Sequence, residues 1–153
     1  MKKNVALEQK YLNTALKLAQ KAASKNEVPV GALVLYQDKV ISRAYNLREK
    51  KHDPTAHAEI LALRSAARKL KSWRLTDCTL VVTLEPCPMC LAACQQARIT
   101  KVIYGAQDLK GGALSLGYRL HEDSKTNHRF SVEWVNMPEC GKVLSGFFRN
   151  RRA

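Results

Sequence analysis

No run of apolar residues in this chain is long enough to span a bilayer, which excludes a membrane-spanning helix. An apolar stretch is also missing behind Lys2 and Lys3, where a secretory signal would need one. We therefore expect a cytoplasmic protein. The chain has no internal repeat and no low-complexity tract, which leaves ordinary globular architectures. No long basic amphipathic helix carries bulky apolar residues on its other face, so a membrane surface is a poor partner. Acidic side chains are scarce, with Asp plus Glu at 13 against Lys plus Arg at 26, for a net charge of +13. So basic a surface attracts phosphate polyanions and speeds their encounter. Taken alone, that charge fits a small basic protein without nucleic acid equally well.

What is present is globular. Apolar residues make up 46% and charged residues 25% of 153 residues, enough for one domain, residues 1–153, with its own core. The five cysteines are an odd number, and Cys87 and Cys90 form a close pair. In a cytosolic protein that favours metal binding or catalysis over a disulfide framework.

Residues 7–24 carry Tyr11, Ala15, Leu18, Ala19 and Ala22 at helical spacing. Residues 30–36 and 40–46 read as a hairpin of strands turning at 37–39. A polar loop, 47–53, leads to a second helix, for which Asp53 is the expected N-cap and Pro54 the first residue. A third strand at 78–83 precedes a third helix opened by Pro86 and running to about Ala97. Residues 101–106 give a fourth strand. Residues 107–127 form a long functional loop with a short helix, and 128–134 a fifth strand. A last helix begins near Asn136 and Pro138 and ends in Arg149-Asn150-Arg151-Arg152. This order implies an α/β fold with a mixed five-stranded sheet covered by helices on both faces.

Two segments carry the chemistry, His57-Ala58-Glu59 and Pro86-Cys87-Pro88-Met89-Cys90, each at the opening of a helix. Zinc takes Cys thiolate and His nitrogen ligands, and a catalytic zinc keeps one position for water. One His and two Cys make that set. Cys90 follows Cys87 by three residues, so both sulfurs leave one helical face, beside an N-terminus whose partial positive charge favours thiolates. Glu59 is two residues from His57 and does not share its face. We read it as a proton carrier beside the metal's water and not as a fourth ligand. Each signal alone has a plainer reading: CxxC as a redox pair, and a histidine near a helix start as a cap. The conjunction of the two motifs selects zinc-dependent deamination.

The stretches 28–32 (Val-Pro-Val-Gly-Ala), 52–60 (His-Asp-Pro-Thr-Ala-His-Ala-Glu-Ile), 83–90 (Thr-Leu-Glu-Pro-Cys-Pro-Met-Cys) and 147–149 (Phe-Phe-Arg) resemble the bacterial tRNA-specific adenosine deaminases of the cytidine-deaminase-like superfamily. The likeness runs from about Tyr11 to Arg152. The zinc motifs are common to the superfamily and do not choose the substrate, whereas 52–60 and the basic Phe-Phe-Arg ending are more particular to the tRNA enzymes. The resemblance implies one Zn2+ per subunit on His57, Cys87 and Cys90, with Glu59 shuttling protons during attack by zinc-activated hydroxide at adenine C6. It implies that Asn46 hydrogen-bonds a flipped base, and that Val28, Pro29 and Leu84 wall its pocket. Asp108 then touches nucleotides near the target, and Phe148, Arg149 and Arg152 meet the anticodon loop. A homodimer, with RNA across both subunits, and the wobble adenosine of an arginine tRNA complete what it implies. Residues 110–117, Lys-Gly-Gly-Ala-Leu-Ser-Leu-Gly, depart from the family's more usual Lys-Thr-Gly-Ala-Ala-Gly-Ser.

Rival readings are a guanine, cytosine or nucleoside deaminase of the same fold, and a metal-free redox or RNA-binding protein. We expect Cys78, Cys94 and Cys140 to be packing thiols, Trp73 and Trp134 to pack in the core or a dimer face, and His128 to make a structural hydrogen bond.

Overall fold

Leu12, Ala15, Ala19 and Ala22 lie three or four residues apart and are all fully buried, the stripe of an amphipathic helix. That helix is α1, Val5–Ser24. The computed structural model describes residues 5–152, and the side chain of Arg152 lies outside the described residues. Alanines in the stripe let α1 approach the sheet closely. Contact is tightest at Gly31, where a Cβ would run into the Ala15 carbonyl oxygen and lie 2.7 Å from Ala19 N.

The strands are β1, Gly31–Tyr36, β2, Lys39–Tyr45, β3, Cys78–Leu84, β4, Lys101–Ala106, and β5, Ser131–Trp134. Helices α2, Arg48–Lys51, α3, Ala58–Leu70, α4, Pro88–Gln96, and α5, Pro138–Arg152, follow in chain order, with a 3-10 turn at Leu120–Glu122. The sheet order is β2-β1-β3-β4-β5. β1 runs antiparallel to β2 and β3, while β3 and β5 both run parallel to β4. This is the mixed five-stranded sheet expected from the sequence.

Alternate residues divide the core. Leu33, Leu35, Val81 and Ile103 meet Leu12 and Ala15 of α1, and α5 packs on the same side, against α1, β3 and β4. Ala32, Val34, Leu80, Val82 and Val102 meet Ala58, Ala62 and Ala66 of α3 and Leu91 and Cys94 of α4. Strands buried on both faces are largely apolar, which is why β1 reads as an apolar run and β3 departs from one only at Thr79 and Thr83. Among the described residues, no helix is long and apolar enough to cross a membrane.

Two helix starts differ from the sequence expectation. Asp53 does not cap α3. Its Oδ1 accepts from Thr55 N at 2.8 Å and Thr55 Oγ1 at 2.7 Å, which closes a turn ahead of the helix. Pro86 does not open α4, because a second proline follows at 88. The residue before a proline is driven out of the helical region, and Cys87 is extended at φ −70°, ψ 169°. The polar loop 47–53 contains α2, and β5 begins at Ser131 and not at residue 128. Neither tryptophan is in the core: Trp73 is 56% and Trp134 46% exposed.

The strand directions decide where loops gather. The start of β1 and the ends of β2, β3 and β4 share one edge of the sheet, as the pairs Gly31 with Tyr45, Ala32 with Val82 and Leu84 with Ala106 require.

Candidate active site

Both helices on the inner face begin at that edge. His57 is the N-cap of α3 and Cys87 the N-cap of α4, and neither side chain caps its own helix. They face one another instead. His57 Nδ1 lies 3.6 Å from Cys87 Sγ and 3.4 Å from Cys90 Sγ. The three ligand atoms all fall within 4.8 Å of one another. Nitrogen and sulfur about 2.0 and 2.3 Å from a zinc ion, at tetrahedral angles, are about 3.5 Å apart. The observed separations match that edge, so the donor set fits Zn2+ in both chemistry and spacing.

The cysteines divide their protons unequally. The hydrogen bond from Cys90, together with that from His57, brings the Cys87 thiol down to about 4 against the opposing effect of burial. The same bond to Cys87, with burial, pushes Cys90 far upward, and the bond to Cys87 raises His57. The hydrogen bond between the two sulfurs thus favours the charged form at Cys87 and the protonated form at Cys90. A metal entering here would displace that proton. The converging helix N-termini add a positive field in the same direction.

Glu59 lies in the first turn of α3 and is 4% exposed. Burial pushes its carboxyl up to about 7, partly offset by its own backbone N–H and by His57. Cys94, one turn beyond Cys90, is fully buried, and burial raises its thiol. Cys78 and Cys140 are buried and pushed up to about 11 and 12 by the same cause. All three are packing thiols. His128 Nε2 lies 2.6 Å from the Ile99 carbonyl oxygen, and the ring stacks on Phe130, the structural contact expected for it.

A small cleft opens onto these groups. His57, Glu59, Cys87, Val28, Leu84, Asn46 and Asp108 all line it. Pro29 is buried beside Val28 and is not among the lining residues. Asn46 is tied into the wall: its Nδ2 donates to the Val28 carbonyl oxygen at 3.2 Å, and its Oδ1 accepts from Arg48 N at 3.1 Å. One Nδ2 hydrogen and one oxygen lone pair remain for a ligand. Asp108 Oδ1 accepts from Lys110 N and Gly111 N, at 3.2 and 3.0 Å, closing its own turn. Phe148 and Arg149 are exposed on α5 and do not line the cleft. Nearby Arg151 sits over the Phe147 ring and donates to the Asn26 carbonyl oxygen.

Four lining residues were not singled out from the sequence: Val30, Arg48, Ala58 and Glu85. Glu85 lies between Leu84 and Pro86, inside a stretch that was read, and a carboxylate at the end of a buried strand was the signal available. Arg48 opens α2, a helix of four residues that no apolar period announces.

Comparison with known proteins places this geometry. The MafB19-like deaminase family model matches residues 7–152. The chain is 45% identical over 143 residues to a tRNA-specific adenosine deaminase of Bacillus subtilis, covering 93% of this chain and 89% of that protein. Among solved structures it is similar to one from work on A-to-I editing by tRNA:A34 deaminases at the wobble position of transfer RNA. The TM-score there is 0.84 and the identity 39%, over 89% of this chain and 99% of that one. A guanine deaminase from Bacillus subtilis superposes with a TM-score of 0.64 at 29% identity, over 95% and 94% of the two chains.

Proposed function

Because the chain belongs to the tRNA-specific adenosine deaminase family, with a MafB19-like deaminase match over residues 7–152, we propose that it converts adenosine to inosine at the wobble position of a tRNA anticodon, that of an arginine tRNA. The observation that carries the chemistry is the buried carboxyl of Glu59 lining the same cleft as His57 and Cys87, with Cys90 completing the donor set.

His57, Cys87 and Cys90 hold one Zn2+ in this reading. Bound there, the ion supplies the Lewis acidity that makes water a nucleophile near neutral pH. The protein does the rest. Glu59 receives the proton of the attacking water on a carboxylate oxygen and delivers it to N1 of the adenine ring. It then carries the second proton of that water, from the hydroxyl now on C6, to the amino group, which leaves as ammonia while oxygen stays on the ring. Water is consumed and ammonia released, so adenosine becomes inosine with no other reactant. Glu59 is withdrawn from solvent, so its proton is not lost to bulk water between the two transfers.

Val28 and Leu84 press on the faces of the base, and the remaining hydrogen-bonding capacity of Asn46 addresses its edge. Pro29 stiffens the segment that carries Val28. Asp108 shapes the far wall toward the flanking nucleotides. Phe148, Arg149 and Arg152 act beyond the cleft, on the anticodon loop, in a cytoplasmic homodimer. The excess of basic side chains suits an RNA substrate and is not needed by an enzyme that acts on a free base.

The likeness to a guanine deaminase favours one rival, a free-base deaminase with the same metal site. Incubation of the purified protein with an arginine-tRNA anticodon stem-loop, and separately with adenosine, guanine and cytosine, separates the two. Our reading requires inosine in the RNA. Turnover of a free base with the RNA untouched would overturn the substrate and leave the site chemistry standing.

A further inference from the structure

Glu85 is 2% exposed, lines the cleft, and is used by no step of the chemistry above. Its hydrogen bonds all come from one loop. The backbone N–H of Asp108 donates to Oε1 at 3.2 Å, the Ser115 hydroxyl to Oε1 at 2.7 Å, and the Ser115 backbone N–H to Oε2 at 2.8 Å. A carboxylate that accepts several backbone N–H groups makes strong, charge-assisted bonds, and unmade ones in a buried place are expensive. The loop it holds, residues 107–117, follows β4 and supplies the Asp108 side of the cleft.

Gly112 belongs to the same device. A Cβ there would collide with Glu85 Oε2 and lie 2.7 Å from the Asp108 carbonyl oxygen. Only glycine lets the loop pass this close to the carboxylate. The Ala113 N–H donates to the Pro86 carbonyl oxygen at 2.8 Å and seats the loop on the segment leading to Cys87. Asp108 is thereby fixed relative to the metal-site helix through Glu85 and the Ala113–Pro86 hydrogen bond.

We propose that Glu85 is a positioning residue for RNA binding: it fastens the 107–117 loop against the start of α4, so that the Asp108 wall stands ready before substrate arrives. This rests on the RNA deaminase reading above. The carboxylate oxygens of Glu85 are taken up by Asp108 and Ser115 of the loop, so its effect falls on the affinity of the assembled cleft and not on proton transfer.

Glu85→Gln tests it. The amide keeps the shape but has one acceptor oxygen, so it cannot serve both Ser115 N–H and Asp108 N–H. We expect zinc to stay at one per chain, KM for the stem-loop to rise about tenfold, and kcat to change less than threefold. Amide-resolved hydrogen exchange on the RNA-free protein should show Ser115 and Asp108 protected in the wild type and exchanging at least tenfold faster in the variant. Gly112→Ala leaves Glu85 in place but drives a methyl group into its carboxylate. It should give the same two signatures, and it carries the test if Glu85→Gln does not fold. Freely exchanging Ser115 in the wild type, unchanged KM in a variant whose loop is loosened, or a fall confined to kcat would each overturn the proposal. Failure of the wild type to edit the stem-loop would instead sink the substrate reading, and the exchange measurement would still decide whether Glu85 fastens the loop.

Discussion

In our reading Glu59 and His57, two residues apart, divide the chemistry between them, because a helix N-terminus turns successive side chains in different directions. His57, at the N-cap, points at the cysteines, while Glu59 is one of the buried groups facing the cleft. That separation of roles is testable. Glu59→Ala should keep one zinc per chain and lose about a thousandfold or more in turnover, since a positioned acid–base group contributes about 10²–10⁴. Cys87→Ala should lose both metal and activity. Elemental analysis beside a deamination assay reads both, and zinc missing from Glu59→Ala would make Glu59 a ligand. The four groups of this centre were legible in the sequence because metal chemistry narrows residue type and spacing together. The role of Glu85 was not, since a buried carboxylate announces itself only through the backbone groups it meets, whereas Asn46 was reached only through the family resemblance.

At the scale of elements, the apolar runs of β1, β3 and β4 and the clean stripe of α1 placed those elements, while β2 followed from the hairpin turn and β5 from alternation. Local chemistry decided the rest. The pair Pro86 and Pro88 moved the start of α4 by two residues, and the side chain of Asp53 spent itself on a turn. Trp73, expected in the core or in a dimer face, is exposed and not in the core. It borders an apolar hollow between α3 and α4, lined also by Ile60, Leu63, Ala67, Ala93 and Ala97. Exposed apolar surface of this kind marks an interaction site. If the homodimer of our reading forms through this face, the helices carrying the metal donors back onto the partner. Trp73→Glu should convert a species of twice the chain mass into a monomer, as read by light scattering. A wild type that is already monomeric at micromolar concentration would contradict the assignment.

For the whole molecule, +13 of net charge on 153 residues is the feature that the metal site does not explain. It bears on the substrate. A protein that binds RNA through phosphates releases counterions and loses affinity as salt rises. KM for the stem-loop should therefore rise about tenfold or more between 50 and 200 mM salt, with kcat little changed. A salt-independent KM would point to a small uncharged substrate.

The most direct test of the central claim is mass spectrometry of an arginine-tRNA anticodon stem-loop after incubation with the zinc-loaded protein. The account predicts inosine at the wobble position and no deamination elsewhere in the RNA, nor of free adenosine, guanine or cytosine. An unchanged stem-loop beside a deaminated free base would contradict it.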